Sequence, residues 1–190
     1  MSAVSPLHTR ACDLFGVRYP LVQTGMGWVA GARLTAATSA AGGLGILAAA
    51  TMTFEQLEAQ IKEVRTRTDN PFGVNLRADQ PDFPRRVDLL IEHGVKVASF
   101  ARAPGKDGIQ RLKAAGIVTM PTIGARKHAQ KVADWGVDAV IAQGGEGGGH
   151  TGSVPTSLLL PDVVDAVGDR VVVLGAGGFS DGRGLVAALA

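Results

Sequence analysis

The sequence predicts an α/β fold, a (β/α)8 TIM barrel of which these 190 residues supply about seven βα units. Short apolar segments of strand length alternate with helical patterns from about residue 20 to the end, the order of a parallel sheet built from βα units. Gly94-Val95, Gly116-Ile117 and Gly136-Val137 each set a glycine suited to a left-handed helix cap directly before a strand. Their spacing of roughly twenty residues is one βα unit with short loops.

In chain order, Leu21 to Gln23 reads as the first strand, Gly31 to Ala41 as a small-residue helix and Leu44 to Ala48 as the second strand. Thr53 and Gln56 form a capping box before a helix whose Phe54, Leu57, Ile61 and Val64 share one face, with Lys62, Glu63, Arg65 and Arg67 as its solvated side. Phe72 to Leu76 is the third strand, and Val87, Leu90 and Ile91 mark a helix closed at His93-Gly94. Strands follow near 95–100, 117–122 and 137–142. A short helix is expected over Pro161 to Val167 with proline near its start, then a strand over Arg170 to Leu174 and a helix from Asp181. A closed barrel takes about 250 residues, and Gly184 to Ala190 is an apolar helical stretch. The expectation is that residues 1–190 are the N-terminal portion of one barrel domain, with the closing strand and any lid beyond residue 190.

A hydrophobic content of 46% is ample for a core. Lys+Arg of 19 against Asp+Glu of 17 leaves a formal charge of +2, without the basic arm and interleaved aromatics of a nucleic-acid binder. Cys12 is the only cysteine, which excludes an internal disulfide or thiolate cluster and fits a reducing, cytoplasmic setting. Pro6, His8, Arg10, Asp13 and Arg18 stand where a signal peptide needs an apolar run, and no segment has the length of a membrane span.

Barrel chemistry gathers at the C-terminal ends of the strands. Those positions here are Gln23 to Met26, Ala48 to Met52, Asn75 to Arg77, Ser99 to Ala103, Thr122 to Gly124, Gln143 to His150 and Gly175 to Gly178. They are rich in glycine, amides and hydroxyls and poor in carboxylates, so an organic cofactor suits them better than a metal. Gly175-Ala176-Gly177-Gly178 before a helix can aim free amides at a phosphate, although such glycines also serve turns alone. Asn75 and Gln143 each offer a donor and an acceptor, as recognition of a flavin's pyrimidine edge requires, or else cap loops. His150 follows five glycines after the strand at 137–142, where an imidazole can move protons near neutral pH. Glu146 reads as structural; Trp28 and Trp135 read as packing residues, Met26 and Met120 as gap-fillers.

Val22-Gln23-Thr24-Gly25-Met26-Gly27, Ala41-Gly42-Gly43-Leu44-Gly45, Phe72-Gly73-Val74-Asn75-Leu76, Gln143 through His150 and Gly175-Ala176-Gly177-Gly178, taken in this order, resemble the nitronate monooxygenase family. These proteins, formerly called 2-nitropropane dioxygenases, are FMN-dependent TIM barrels that also include flavin-dependent enoyl-ACP reductases. The stretches Gln23 to Leu34 and Gln143 to Gly152 are similar to an actinobacterial branch associated with CoA-thioester oxidoreduction in steroid-ring degradation.

The resemblance implies FMN held by Thr24, Gly25 and Met26, by the amides of Asn75 and Gln143, by Gly148, and through its phosphate by Gly177 and Gly178, with His150 as catalytic base and no metal. It implies a monooxygenase acting on a nitronate or nitroalkane. A second reading keeps the barrel and FMN but adds NAD(P)H and an acyl-CoA or acyl-ACP substrate of steroid-ring or fatty-acid metabolism. Two stretches depart from the wording of many members: Thr24-Gly25-Met26 stands where they have Ala-Pro-Met, and Glu146-Gly147-Gly148-Gly149-His150 where they have Glu-Ala-Gly-Gly-His. A flavin-free phosphate-binding isomerase or lyase is the remote rival. The expected partner is a small-molecule substrate, and a homo-oligomer is compatible with the reading.

Overall fold

A computed structural model describes residues 7–149 and 151–190. The chain forms two compact units, one of residues 1–100 with 111–118 and the other of residues 101–110 with 119–190.

The first unit opens with α1 (Arg10–Phe15), which the sequence reading did not anticipate, and continues β1 (Val22–Gln23), α2 (Ala32–Ala40), β2 (Leu44–Ala48), a 3-10 turn (Ala49–Thr51), α3 (Phe54–Arg67), β3 (Phe72–Leu76), α4 (Phe83–Glu92) and β4 (Val97–Phe100). The strands pair in chain order and in parallel, Val22 beside Leu44, Ile46 beside Gly73 and Asn75 beside Ser99. β2 is buried at every position, as a strand covered on both faces must be. It lies so close to α2 that a Cβ on Gly45 would stand 2.1 Å from the Thr35 carbonyl oxygen. The capping box of α3 is present, Thr53 Oγ1 accepting from the Gln56 amide at 3.2 Å and Gln56 Oε1 accepting from the Thr53 amide at 2.9 Å.

After α5 (Lys106–Ala114) come β5 (Val118–Ile123), α6 (Arg126–Asp134), β6 (Ala139–Gln143), α7 (Thr156–Val167), β7 (Val172–Ala176) and α8 (Gly182–Leu189). In the second unit Thr122 pairs with Ile141, and β6 runs parallel to β7 from Ala139–Val172 to Gln143–Ala176. Asp138 Oδ2 accepts from both the amide and the hydroxyl of Thr119 at 2.9 Å, tying the start of β6 to β5 at the end away from the glycine loop. Strand–helix alternation with parallel pairing is the βα order of a (β/α)8 barrel, seven units of it.

Several boundaries move for a physical reason. The strands expected from 95, 117 and 137 begin at 97, 118 and 139, because the residue after each capping glycine still belongs to the helix end. Val95 donates to the Leu90 carbonyl, Ile117 to Leu112 and Val137 to Val132, the long return bond that follows a left-handed cap. The helix expected from Pro161 begins five residues earlier, at Thr156, and Pro161 lies inside it. Pro155 O accepts from Leu158 and Leu159, and Leu159 is buried, so the first turn is secured before the proline is reached. Trp28 is not a packing residue: it is 92% exposed.

Candidate active site

The first unit's strand ends are built around Gly25. A Cβ there would lie 2.6 Å from Asn75 Cβ and 3.4 Å from the Leu47 carbonyl oxygen, so only glycine lets the chain pass against the Asn75 side chain. Asn75 Nδ2 donates to Ser99 Oγ at 3.0 Å, and Ser99 is fully buried. That bond orients the amide and leaves Oδ1 and one N–H for a ligand. Gln23 Nε2 donates to the Thr24 carbonyl and, at 3.1 Å, to that of Ile46. Its Oε1 is buried without a partner among the described residues, an acceptor that costs free energy until a donor meets it. The amides of Gly25, Met26 and Gly27 donate to no described residue, while Met26 O accepts from Val29 and Ala30. Thr24 is exposed and Met26 is 39% exposed, so neither fills a gap in the core.

The turn after β2 frames this set. Buried Arg86 donates to the carbonyls of Ala49 at 3.0 Å and Met52 at 2.8 Å, and its Nε is paired with Asp82 at 2.9 Å. Gln80 Nε2 reaches the Ala50 carbonyl at 3.4 Å. Thr51 in turn bounds the 25–28 turn, its Cγ2 lying 3.2 Å from where a Gly27 Cβ would be.

In the second unit, Gln143 closes the glycine loop, its Nε2 donating to the Gly148 carbonyl at 2.7 Å. A Cβ on Gly147 would strike that amide at 2.8 Å. Glu146 accepts from the Thr156 amide and hydroxyl, both at 2.9 Å, fastening the loop to the start of α7. Gly177 follows β7 with φ 99° and Gly178 with φ 80°, conformations that favour glycine. A Cβ on Gly177 would stand 2.7 Å from the Gly147 amide nitrogen, so the two glycine segments pass in direct contact. The amides of Gly177 and Gly178 donate to no described residue. His150 lies outside the described residues.

The Thr156 amide, then the loop's own amide at Glu146, then the Thr156 hydroxyl hold the Glu146 carboxyl below its ordinary 4.5. A depressed carboxyl adds stability that is present above its unfolded value and is lost as pH falls through the folded one. Glu146→Gln should therefore lower the melting temperature of the full-length protein at neutral pH, and the difference should shrink as pH falls below the ordinary carboxylate range. A difference that grows with acidification would contradict the charge-based clip.

Sequence reasoning placed Thr24, Gly25, Met26, Asn75, Gln143, Gly148, Gly177 and Gly178 at the C-terminal strand ends of one barrel; Thr24, Gly25, Met26 and Asn75 fall in the first unit, and Gln143, Gly148, Gly177 and Gly178 in the second. It named Ser99 only as a strand-end residue and missed its bond to Asn75, the buried role of Arg86 and the orphan acceptor of Gln23. A serine in the apolar Val97–Phe100 strand, in register with Asn75, was the available signal for the first. Arg86 gave none, since an arginine on an amphipathic helix reads as solvated.

Nitronate monooxygenase is the description of the family model that matches residues 8–84 and 82–190. A relative from Rhodococcus jostii (strain RHA1), the (3aS,4S,5R,7aS)-5-hydroxy-7a-methyl-1-oxo-octahydro-1H-indene-4-carboxyl-CoA dehydrogenase, is 64% identical over 187 residues, 98% of this chain and 52% of its own. The chain thus spans about half the length of that relative. Among solved structures, FabK from Thermotoga maritima superposes with a TM-score of 0.91 at 39% identity, over 95% of this chain and 58% of that one. Nitroalkane oxidase from Streptomyces ansochromogenes does so at 0.83 and 32%, over 93% and 64%. With the match running across both units, the chain belongs to the nitronate monooxygenase family.

Proposed function

We propose that this chain is the FMN-binding part of an oxidoreductase of the nitronate monooxygenase type, in which His150 removes a proton from an activated carbon. The observation that carries the cofactor is the glycine turn after β7, where left-handed backbone at Gly177 and Gly178 presents amides that no described residue uses. The other groups proposed for FMN are the orphan acceptor of Gln23, the unclaimed amides of Gly25 and Met26, and the Asn75 amide steadied by Ser99. Gln143 and Gly148 complete the proposed set on the glycine loop, alongside Thr24 on the other. Bound there, FMN supplies the acceptor for the electron pair left on carbon. The chain contributes orientation through its amides and proton transfer through His150, the latter typically worth about 10²–10⁴-fold.

A second reading has a specific observation behind it, the 64% identity with a dehydrogenase of a bicyclic carboxyl-CoA thioester. In it the same histidine works on carbon near the thioester, and a nicotinamide takes oxygen's place as the flavin's electron partner. Residues 1–190 are then the N-terminal portion of one barrel domain in a cytoplasmic enzyme.

Denaturing the full-length protein and chromatographing the released flavin should give FMN. The phosphate turn at Gly177 and Gly178, with no adenine-binding glycine fingerprint in residues 1–190, argues for the mononucleotide. FAD, or no flavin after reconstitution, would overturn the proposal.

A further inference from the structure

Trp28 is the only non-glycine among the described residues with positive φ, 58°, and it is 92% exposed. Left-handed backbone disfavours a bulky L-residue, and an indole in water forfeits its burial, so the fold bears two local costs here without an internal return. Its neighbour Val29 is 63% exposed and lines a groove of about 740 Å³ between α2 and α3, whose walls include Arg33, Leu34, Gln60, Glu63 and Arg67. Arg67 is paired with Glu63 at 2.7 Å, which neutralises the one carboxylate of the groove. Arg33 is exposed and makes no ion pair among the described residues. In the chain, the exposed indole of Trp28, the exposed Val29 and the groove-lining Arg33 follow within six residues of the unclaimed amides of Gly25, Met26 and Gly27.

We propose that this surface binds the nucleotide end of a CoA thioester, its purine stacked on the Trp28 indole and a phosphate held by Arg33. The complementarity is of both kinds: bases stack on exposed aromatic rings whatever their edge, and a guanidinium binds phosphate through paired N–H bonds. An acyl carrier protein would bring phosphopantetheine but no purine, leaving Trp28 without a counterpart. The inference rests on the acyl-CoA reading above, and it assigns recognition of the carrier to residues outside the proposed flavin set.

The test titrates flavin-loaded, full-length protein with CoA and with pantetheine, which lacks the nucleotide, in the wild type, Trp28→Ala, Trp28→Phe and Arg33→Gln. Flavin content and melting temperature verify that each variant is folded. Trp28→Ala and Arg33→Gln should each raise the Kd for CoA about tenfold, with pantetheine unaffected and Trp28→Phe close to wild type. Unchanged CoA affinity in both variants overturns this surface and leaves the acyl-CoA reading standing. Equal losses for pantetheine, or tighter competition by NADPH than by CoA, also overturn the assignment. A wild-type protein that binds no CoA removes the acyl-CoA reading and this inference with it.

Discussion

His150→Ala in the full-length enzyme is expected to slow anaerobic flavin reduction by a neutral nitroalkane about 10²-fold or more, while the preformed nitronate reduces the flavin at nearly the wild-type rate. The nitroalkane must lose a proton before electrons can leave its carbon, and the nitronate has already lost it. FMN content should stay near wild type, because the imidazole is not among the proposed cofactor contacts. If the thioester reading holds, a neutral and a pre-enolised acyl-CoA replace the pair. Equal losses on both members would make His150 a substrate-positioning group, and no loss on either would move the base elsewhere.

Gly45→Ala should be the most damaging small substitution in the first unit. Its new methyl would lie 2.1 Å from the Thr35 carbonyl oxygen and 2.8 Å from that residue's carbonyl carbon, and both are backbone of α2. No rotamer change relieves such a contact, so the helix must lift from β2. That separation would also stretch the 3.2 Å bond from the Gly45 amide to Ser39 Oγ. Overpacking of this kind costs about 3 kcal/mol or more, and a melting point lowered by roughly 10 °C is expected for the full-length protein. Gly94→Ala is the control. A Cβ there meets nothing within 4 Å, so only its φ of 56° is penalised, at about 1–2 kcal/mol. A Gly45→Ala protein as stable as the control would show that α2 yields freely.

The fold was legible because its punctuation is local. Gly94, Gly116 and Gly136 are left-handed at 56°, 75° and 85°, as a glycine before each strand implied, and β2 and β3 fall on the residues the apolar runs marked. What escaped was set by partners distant in sequence. Glu146 secures the first turn of α7 from ten residues away, so the helix starts before its proline. Arg86 is buried because carbonyls 34 and 37 residues earlier await it. Trp28 violated the rule that tryptophan packs, and local pattern carries no warning of a left-handed turn at a non-glycine. In the site, the glycines and amides were readable by type. Ser99's part was not, since it depends on register with Asn75.

The clamp on the turn after β2 grips only main-chain oxygens, those of Ala49, Ala50 and Met52. Every amino acid carries the same oxygen, so the shape of this turn is insulated from its own side chains. Ala50 and Met52, both half-buried, can therefore mutate without disturbing the frame that bounds Gly27. Lineages sharing this scaffold have there a place to vary side chains while the backbone path stays put, whereas loss of Arg86 or Gln80 would end that freedom at once.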